Sequence, residues 1–414
     1  MLSGLFESAA RMGSLRASPA GTSLESFADA LFLAGYARVS ARRQIRGAEH
    51  FAWWADRHGL WVSGITEQVV GRFARHLSRC RCRGYGHSDR SLLHGVRLFL
   101  RHLEETRVIS MPATARLSSD PALLVAFRDW MRGQRSACDG TMEGYAPHIR
   151  ELLARLEEAP GGLDASTLRQ CVLDGSREFG WASAKKRTTA LRMFVRFLIA
   201  EGRCTSGLEN AVPTLAHWRL ASLPRYFSEA DVERLMASCD LTSPVGRRDR
   251  AILLLLARLG LRAGDIVQLR LSDIDWKDAS IRVCGKGHRE ARLPLTQEVG
   301  QALVAYLRTA RPRTDSDTVF VRCRAPFLAF RSHCAVSVIV DRALHRAHVK
   351  RPCRGAAHLL RHSVAASMLR HGASLQEVAA LLRHRSIATT QIYAQVDVHA
   401  LRTIAQPWPE VRSC

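Results

Sequence analysis

The sequence predicts a mainly α-helical, multidomain protein whose last domain is α+β and carries a small antiparallel sheet. The chain has 414 residues, enough for two or three domains that each bury a core. Apolar residues recur every three or four positions through most of the chain, which is the period of an amphipathic helix. One stretch, residues 280–295, instead alternates with a period of two on both sides of a glycine-containing turn, which is typical of a β-hairpin.

The first region is predicted to be helical between residues 23 and 110. Residues 1–22 lack the continuous apolar core of a signal peptide, and we expect them to form a flexible leader. The helical period is carried by four segments: "SLESFADALFLAGYA", "ARRQIRGAEHFAWWADRHG", "EQVVGRFARHLSRC" and "SDRSLLHGVRLFLRHLEE". The breaker-rich stretch "VISMPATARLSSDP" then predicts a linker.

Residues 118–206 predict a second helical domain with a similar plan. Its last segment, "SAKKRTTALRMFVRFLIAEGRC", has a basic start followed by an apolar stripe of Leu191, Phe194, Val195 and Leu198. The order of helices resembles that of the first region, which favours duplicated helical modules without an obvious sequence repeat. The following stretch, residues 207–224, is predicted to be a linker.

Residues 225–406 are predicted to form the last domain, and residues 407–414 a tail. "FSEADVERLMASCD" predicts a helix capped by Ser228, and "GRRDRAILLLLARLGL" predicts a more deeply buried one. In the predicted hairpin, Ile281 and Val283 alternate with polar residues before the turn "GKGH", and Ala291 and Leu293 do so after it. Helical patterns resume after the hairpin.

The charge of the chain indicates a polyanionic partner. The net charge is +23, and of the 61 basic residues only five are lysines. An arginine-rich genome would explain arginine over lysine, but not the excess of basic over acidic residues. A large positive field favours nucleic acid through counterion release, and guanidinium groups suit phosphate contacts. The basic residues Lys185, Lys186 and Arg187 are candidate DNA contacts, although for each one a solvated helix face is the simpler interpretation.

Membrane and secreted classes are disfavoured. The most apolar run, "AILLLLARLGL", is too short to span a bilayer and contains Arg258. The eleven cysteines show no disulfide framework, so we expect reduced thiols in a cytoplasm. The segment "HLSRCRCRGYGH" places His76, Cys80, Cys82 and His87 close together. A C-x-C pair is tighter than the usual spacing for structural zinc, so we favour free cysteines and keep a metal site as the alternative.

Tyr393 is a candidate nucleophile for phosphodiester cleavage. A phenol has a pKa of about 10, so it would need a base or an electropositive site to attack phosphorus. Arginines would stabilise the charge on the transition state, and a lysine could protonate the departing 5′ oxygen. The last domain offers such groups near turns and helix ends: Arg262, Lys286, His358, Arg361 and His384.

Each of these residues has an ordinary structural interpretation when taken alone. Tyr393 would be a packed aromatic, Arg262 a partner in a surface ion pair and Lys286 a solvated hairpin tip. His358 and His362 have the i, i+4 spacing of a metal pair, but no third ligand or glutamate base stands nearby in the sequence. The hypothesis of an active site therefore depends on the whole set.

That set resembles the tyrosine recombinases, the phage-integrase and Xer-like group. The order and spacing of Arg262, Lys286, His358-x-x-Arg361, His384 and Tyr393 are similar to those of the family, as are "LLRHSVAASMLRHGASLQEVAALLRH" and "SIATTQIY". The likeness covers residues 225 to about 405 strongly. It extends more loosely over the second helical region, which would be the family's SAM-like core-binding domain.

The resemblance implies a role for each residue. Tyr393 would form a 3′-phosphotyrosine without ATP, Arg361, Arg262 and His384 would hold the phosphoryl oxygens, and Lys286 would protonate the 5′ oxygen. His358 would accept the tyrosine proton or orient the phosphate, and Asp265, where the family more often has glutamate, would brace Arg262. Arg383 departs from the family pattern, which usually has glycine, and would either add a phosphate contact or shift the turn.

The resemblance also implies partners and a setting. The partner would be double-stranded DNA carrying specific recombination sites, bound by a homo-tetramer or a hetero-tetramer with partner recombinases through a Holliday junction. No metal or other cofactor is implied, and no membrane. We expect a bacterial, cytoplasmic, nucleoid-associated protein of a mobile element, with residues 23–110 as an additional DNA-binding module. The C-terminal segment "HALRTIAQPW" could dock onto a neighbouring subunit.

Two other functions remain open at this stage. A type IB topoisomerase would share the chemistry but would relax supercoils as a monomer, and the paired helical modules argue against it. A DNA-binding accessory protein or repressor would carry a vestigial site, and an intact set of six residues argues against that.

Overall fold

The structure, a computed structural model, describes residues 2–60, 65–82, 90–109, 120–156, 163–178, 180–215, 223–285, 289–353, 355–396 and 401. The chain divides into two units. One comprises Met1–Trp61, Ala74–Thr106 and Arg219–Cys414, and the other comprises Val62–Phe73 and Arg107–Trp218. None of the described helices is both long enough and apolar enough to cross a membrane.

The N-terminal part of the chain is helical, as its apolar periodicity predicts. Its described residues form the helices α1 (Leu2–Leu5), α2 (Ala9–Arg16), α3 (Gly21–Leu33), α4 (Arg38–Arg57), α5 (Glu67–Ser78) and α6 (Arg90–Glu105). Helix α4 packs against α3 and α6, where Phe51 and Phe99 are fully buried. The expectation of a flexible leader is corrected, because residues 2–16 form α1 and α2. Their side chains Leu2, Leu5 and Leu15 are buried, and removing apolar surface from water stabilises this packing.

Beyond the first part of α5, the described residues of the second unit form four further helices. They are α7 (Ala122–Arg135), α8 (Asp139–Arg155), α9 (Ala165–Glu178) and α10 (Trp181–Ala200). The predicted stripe of α10 lies in their core, where Phe194 meets Phe127 edge-on with ring centroids 5.3 Å apart. A short 3₁₀ helix, Leu208–Ala211, follows within the predicted linker.

The last region combines helices with one sheet. Its helices are α11 (Glu229–Ala237), α12 (Pro244–Ala257), α13 (Ala263–Gln268), α14 (Gln297–Thr309), α15 (Cys334–Arg346), α16 (Ala356–Arg370) and α17 (Leu375–Leu381). Its strands are β1 (Ile274–Asp275), β2 (Ser280–Gly285) and β3 (Arg289–Pro294). The strands are antiparallel in the order β1-β2-β3, and Ile281 pairs with Leu293. The predicted fold class is thus confirmed.

Helix α12 is the centre of this region. Ala251 to Leu256 are all 0% exposed, because α12 packs against α14, α16 and α11. A helix that is apolar on every side must be buried on every side, so the run "AILLLL" already indicated this position. Because α12 is held on all sides, the residues that follow it, Gly260 to Arg262, have a fixed position beside α16.

Two short 3₁₀ helices end the described part of the region, Ile387–Thr389 and Gln391–Val396. Tyr393 on the second of them packs with Ala365, Leu369, Val378 and Leu382. This small apolar cluster joins the C-terminal segment to α16 and α17. It holds the phenol ring beside the polar face of α16.

Candidate active site

Helix α16 presents three candidate residues within one turn. His358, Arg361 and His362 lie at positions i, i+3 and i+4, which face the same side of a helix. The rings of His358 and His362 are in edge-to-face contact with centroids 4.3 Å apart. Loss of water around the ring, together with the charges of Arg361 and Arg262, lowers the pKa of His358. Its imidazole is therefore neutral near pH 7.

Arg361 is the most buried cation of the site, with 2% of its surface exposed. Its guanidinium donates hydrogen bonds to the backbone carbonyls of Gly260 and Leu382. Gly260 has φ +59°, and a Cβ there would lie 2.6 Å from Leu382. Only glycine allows this close approach. The carbonyl anchors fix the Arg361 fork in one orientation.

Two further arginines, Arg262 and Arg383, lie next to Arg361 and share the carboxylate of Asp265. Asp265 accepts a hydrogen bond from the backbone N–H of Arg262 at 2.9 Å and from the guanidinium of Arg383 at 2.5 Å. The Arg262 guanidinium in turn donates to the carbonyl oxygen of Arg383 at 3.5 Å. Asp265 thus holds Arg262 through its backbone and Arg383 through its side chain.

The guanidinium groups of Arg361, Arg262 and Arg383 all lie near the Asp265 carboxylate. Burial, followed by repulsion from Arg262 and Arg383, lowers the pKa of Arg361 to about 9. A guanidinium normally stays charged far above this range, so the shift reflects mainly the burial of Arg361, with the positive charges of Arg262 and Arg383 adding to it. Such a cluster would be stabilised by a bound anion, and a phosphate fits its fork geometry.

Arg383 occupies a strained position in the turn after α17. Its φ is +53°, a conformation that costs non-glycine residues free energy. The side chain is 11% exposed and its ion pair with Asp265 is largely buried. The Nε and Nη1 donors of Arg383 have no partner among the described residues. The backbone conformation accounts for the glycine usual in the family, and the two donors are available to an anion.

Tyr393 is 1% exposed, and its hydroxyl lies 2.5 Å from Nδ1 of His362. Burial raises the pKa of Tyr393 to about 12, opposed by the charge of Arg361. Burial and nearby positive charges lower the pKa of His362 to about 3. A neutral imidazole therefore meets a protonated phenol, which is the arrangement required for a proton acceptor and a nucleophile.

His384 completes the group on the other side of Tyr393. The two rings are parallel, with centroids 6.4 Å apart. Nδ1 of His384 is 2.8 Å from the hydroxyl oxygen of Thr390, which fixes the ring and leaves Nε2 as the other functional nitrogen. Burial and the charges of Arg361 and Arg262 lower the pKa of His384 to about 4.

Five of the six predicted catalytic residues are therefore adjoining: Arg262, His358, Arg361, His384 and Tyr393. The sixth, Lys286, lies outside the described residues. His362 is the residue that the sequence interpretation missed as a partner of Tyr393. The sequence did contain a sign of this role, since His362 follows Arg361 directly and lies on the same helix face as His358.

The predicted DNA contacts on α10 divide into two kinds. Lys185 and Lys186 are exposed. Arg187 is 3% exposed, and its guanidinium bonds the Glu151 carboxylate and, at 2.6 Å, the carbonyl oxygen of Cys171. The prediction of a DNA contact is therefore corrected for Arg187, whose guanidinium is occupied inside the helical unit.

Comparison with known proteins identifies the family of the chain. The Phage integrase family matches residues 225–399. An integrase/recombinase of Sinorhizobium fredii (strain NBRC 101917 / NGR234), y4rA, is 38% identical over 391 residues, which cover 92% of this chain and 93% of that protein. Tyrosine recombinase XerC of Pelotomaculum thermopropionicum (strain DSM 13744 / JCM 10971 / SI) is 30% identical, covering 67% of this chain and 94% of XerC.

The fold has solved counterparts as well. The XerH site-specific recombinase, bound to palindromic difH substrate in a post-cleavage complex, superimposes with a TM-score of 0.54 at 18% identity. The match covers 81% of this chain and 93% of XerH. The similarity to y4rA extends over nearly the whole of both chains, so the chain belongs to the phage integrase family of tyrosine recombinases.

Proposed function

We propose that the chain is a site-specific DNA recombinase in which Tyr393 cuts and rejoins DNA strands through a 3′-phosphotyrosine. The observation that carries the proposal is the 2.5 Å contact between the Tyr393 hydroxyl and Nδ1 of His362, beside the buried Arg361. A phenol paired with a neutral base and surrounded by guanidinium groups is suited to in-line attack on a phosphodiester.

The first step forms the bond between Tyr393 Oη and phosphorus and breaks the bond between phosphorus and the 5′ oxygen. His362 takes the phenol proton as the new bond forms. Lys286 gives a proton to the departing 5′ oxygen, so that the DNA leaves with a 5′ hydroxyl. A second 5′ hydroxyl then attacks the phosphotyrosine and reverses these proton transfers. The phosphodiester energy is kept, so no ATP is needed.

The guanidinium groups supply the electrostatic part of the mechanism. Arg361 and Arg262 would contact the non-bridging oxygens, with Nε2 of His384 as a third donor when protonated. Arg383 adds a fourth contact through the donors that have no described partner. Asp265 fixes the Arg262 backbone and the Arg383 side chain, so the cations are positioned before DNA arrives.

The wider assembly follows from strand exchange between two duplexes. Four active sites are needed to cut four strands, so we propose a tetramer, homomeric or with partner recombinases, acting through a Holliday junction. The net charge of +23 favours duplex DNA as the partner. Lys185 and Lys186 of α10 and the N-terminal helices would grip it. The biological setting would be a mobile element in the bacterial nucleoid.

DNA contacts by α10 can be tested through the salt dependence of binding. Replacing Lys185 and Lys186 together by alanine should lower affinity and flatten the log–log salt slope by about 2, since each phosphate contact contributes about 0.9. Lys277→Ala is the control, because Lys277 is also exposed but lies in the turn between β1 and β2. An unchanged slope in the double variant would show that Lys185 and Lys186 make no phosphate contacts.

A suicide substrate tests the proposed chemistry. A duplex selected from a random pool by binding to the purified chain is nicked near its centre, so that cleavage releases a short strand and traps the protein on DNA. The wild type should give a covalent adduct on a denaturing gel, and Tyr393→Phe should give none. Tyr306→Phe is the matched control, because Tyr306 is equally buried in the same region.

Other outcomes would favour the other functions. Specific binding without any adduct from the wild type would indicate an accessory DNA-binding protein. Relaxation of supercoiled plasmid by dilute monomer, without dependence on the selected sequence, would indicate a topoisomerase. Either result would overturn the proposed recombinase.

A further inference from the structure

Four side chains with metal-binding atoms converge in the N-terminal helices. His50 lies on α4, His76 lies on α5, and Cys80 and Cys82 lie in the chain just after α5. One ligand atom from each residue lies within 4.8 Å of the other three. Cys80 is 3% exposed and His50 is 2% exposed, so the group is largely enclosed by the helices that carry it.

The spacing of these atoms agrees with a tetrahedral ion. Zinc bonds of about 2.0–2.1 Å to nitrogen and about 2.3 Å to sulfur give tetrahedron edges of about 3.4 Å between nitrogens and about 3.6 Å between nitrogen and sulfur. Nε2 of His50 is 3.4 Å from Nε2 of His76 and 3.6 Å from Sγ of Cys80. Nε2 of His76 is 3.7 Å from Sγ of Cys82.

The remaining separations need only a small adjustment. The widest pair in the group is no more than 4.8 Å apart, and a tetrahedral site would bring it in by about 1 Å. Cys82 is only partly buried, so its side chain has room to rotate. The backbone N–H of Cys82 donates to Sγ of Cys80 at 3.4 Å, a contact of the kind that orients metal-bound thiolates.

We propose that His50, His76, Cys80 and Cys82 bind one Zn²⁺ ion. Two thiolates and two imidazoles in a tetrahedron are a donor set that suits zinc. The ion ties α4 to α5 and to the chain after it, which makes the site structural.

The structure changes the sequence interpretation of this segment in two ways. His87, considered as a ligand, lies outside the described residues, and His50 from the preceding helix supplies the fourth donor. The tight C-x-C spacing, which argued against zinc, is accommodated because the two histidines come from two helices. A separation of 30 residues between His50 and Cys80 hides the set from any local motif.

Metal content and cobalt spectroscopy test the site directly. Tag-free protein purified in reducing buffer should contain one zinc per chain by mass spectrometry of the metal. After chelation, Co²⁺ should produce the intense visible bands of tetrahedral coordination and a near-ultraviolet thiolate charge-transfer band. A protein that contains no zinc and takes up Co²⁺ only in octahedral form would overturn the proposal.

Ligand variants identify the residues. Cys82→Ser and His76→Gln should each weaken zinc binding by more than the roughly 10–100-fold that loss of an outer-shell partner costs, measured by competition with a chromogenic chelator. Cys138→Ser, which removes an exposed thiol elsewhere, should bind zinc as the wild type does. Full zinc affinity in both ligand variants would also overturn the proposal.

The variants also separate this site from the Tyr393 chemistry. Because the N-terminal helices are also proposed to grip DNA, Cys82→Ser should bind DNA more weakly but still form the covalent adduct at saturating protein, while its N-terminal helices become sensitive to protease. If the wild type bears no metal in reducing buffer but forms a Cys80–Cys82 disulfide in air, the cysteines are a redox pair and the zinc proposal fails.

Discussion

His362→Asn is expected to slow DNA cleavage, because it removes the acceptor for the Tyr393 proton. Nδ1 of His362 lies 2.5 Å from the Tyr393 hydroxyl. Burial and then the positive charges around it lower the pKa of His362 to about 3. The imidazole is therefore neutral near pH 7 and can take the proton as attack begins. Asparagine keeps a polar group there but has no basic nitrogen.

The size of the effect follows from the two pKa values. Burial raises the pKa of Tyr393 to about 12, so only about 1 phenol in 10⁵ ionises by itself at pH 7. Without His362, cleavage depends on that small fraction, and loss of a general base typically costs about 10²–10⁴-fold. The remaining rate should rise about tenfold per pH unit from about pH 6 to about pH 9, since phenolate accumulates up to its pKa. The wild type should be nearly flat over this range.

Single-turnover cleavage of the suicide duplex measures both quantities. His371→Asn, at the exposed end of α16, controls for loss of a histidine, and thermal unfolding checks that each variant is folded. His358→Asn tests the residue to which the family resemblance gives the role of proton acceptor. A His362→Asn rate within about threefold of the wild type, or a steep pH dependence confined to His358→Asn, would refute the reasoning.

Three further changes test other parts of the site and fold. Lys286→Ala should cleave ordinary DNA poorly. Its cleavage rate should recover on DNA in which sulfur replaces the 5′ bridging oxygen, because a thiolate leaves without a proton. If the rate does not recover, Lys286 is not the general acid. Arg187→Leu should lower the free energy of unfolding by about 1–3 kcal/mol, because Glu151 and a buried carbonyl lose a charged donor; an unchanged urea midpoint would contradict this. Arg383→Gly and Arg383→Ala both lose the ion pair with Asp265. The free energy of unfolding of Arg383→Gly should nevertheless be about 1 kcal/mol higher, because glycine adopts a positive φ without strain. Equal urea midpoints for the two variants would contradict the strain.

Much of the site could be predicted from the sequence, because its residues lie next to clear local signals. The hairpin followed from alternation around Ile281, and its register with Leu293 is observed. The buried position of α12 followed from its unbroken apolar run. Arg262 follows that helix, and Tyr393 lies within a short, recognisable phrase.

The rest depends on contacts between distant parts of the chain. His362 and Tyr393 are 31 residues apart, and no local pattern pairs them. Arg187 looked like part of a basic run, yet it stands four residues before Leu191 and seven before Phe194, on the buried face of α10. The helical period could have corrected that prediction. The partnership with Glu151, 36 residues away, could not be predicted.

The N-terminal leader shows the same limit. Seven of the fifteen residues from 2 to 16 are apolar, but they form no continuous apolar run, and the sequence alone predicts a flexible leader. Leu2, Leu5 and Leu15 are nevertheless buried, because α3 and α4 provide an apolar surface for α1 to cover. Burial of this kind is decided by the partner surface, which a periodicity argument does not contain.

The most direct test of the central claim is the identity of the residue that becomes joined to DNA. The trapped adduct is digested with nuclease and protease, and the nucleotide-bearing peptide is sequenced by tandem mass spectrometry. The phosphodiester should be found on the oxygen of Tyr393, with the 3′ end of the cut strand attached. A modified peptide that lacks Tyr393, or an adduct that persists in Tyr393→Phe, would contradict the account.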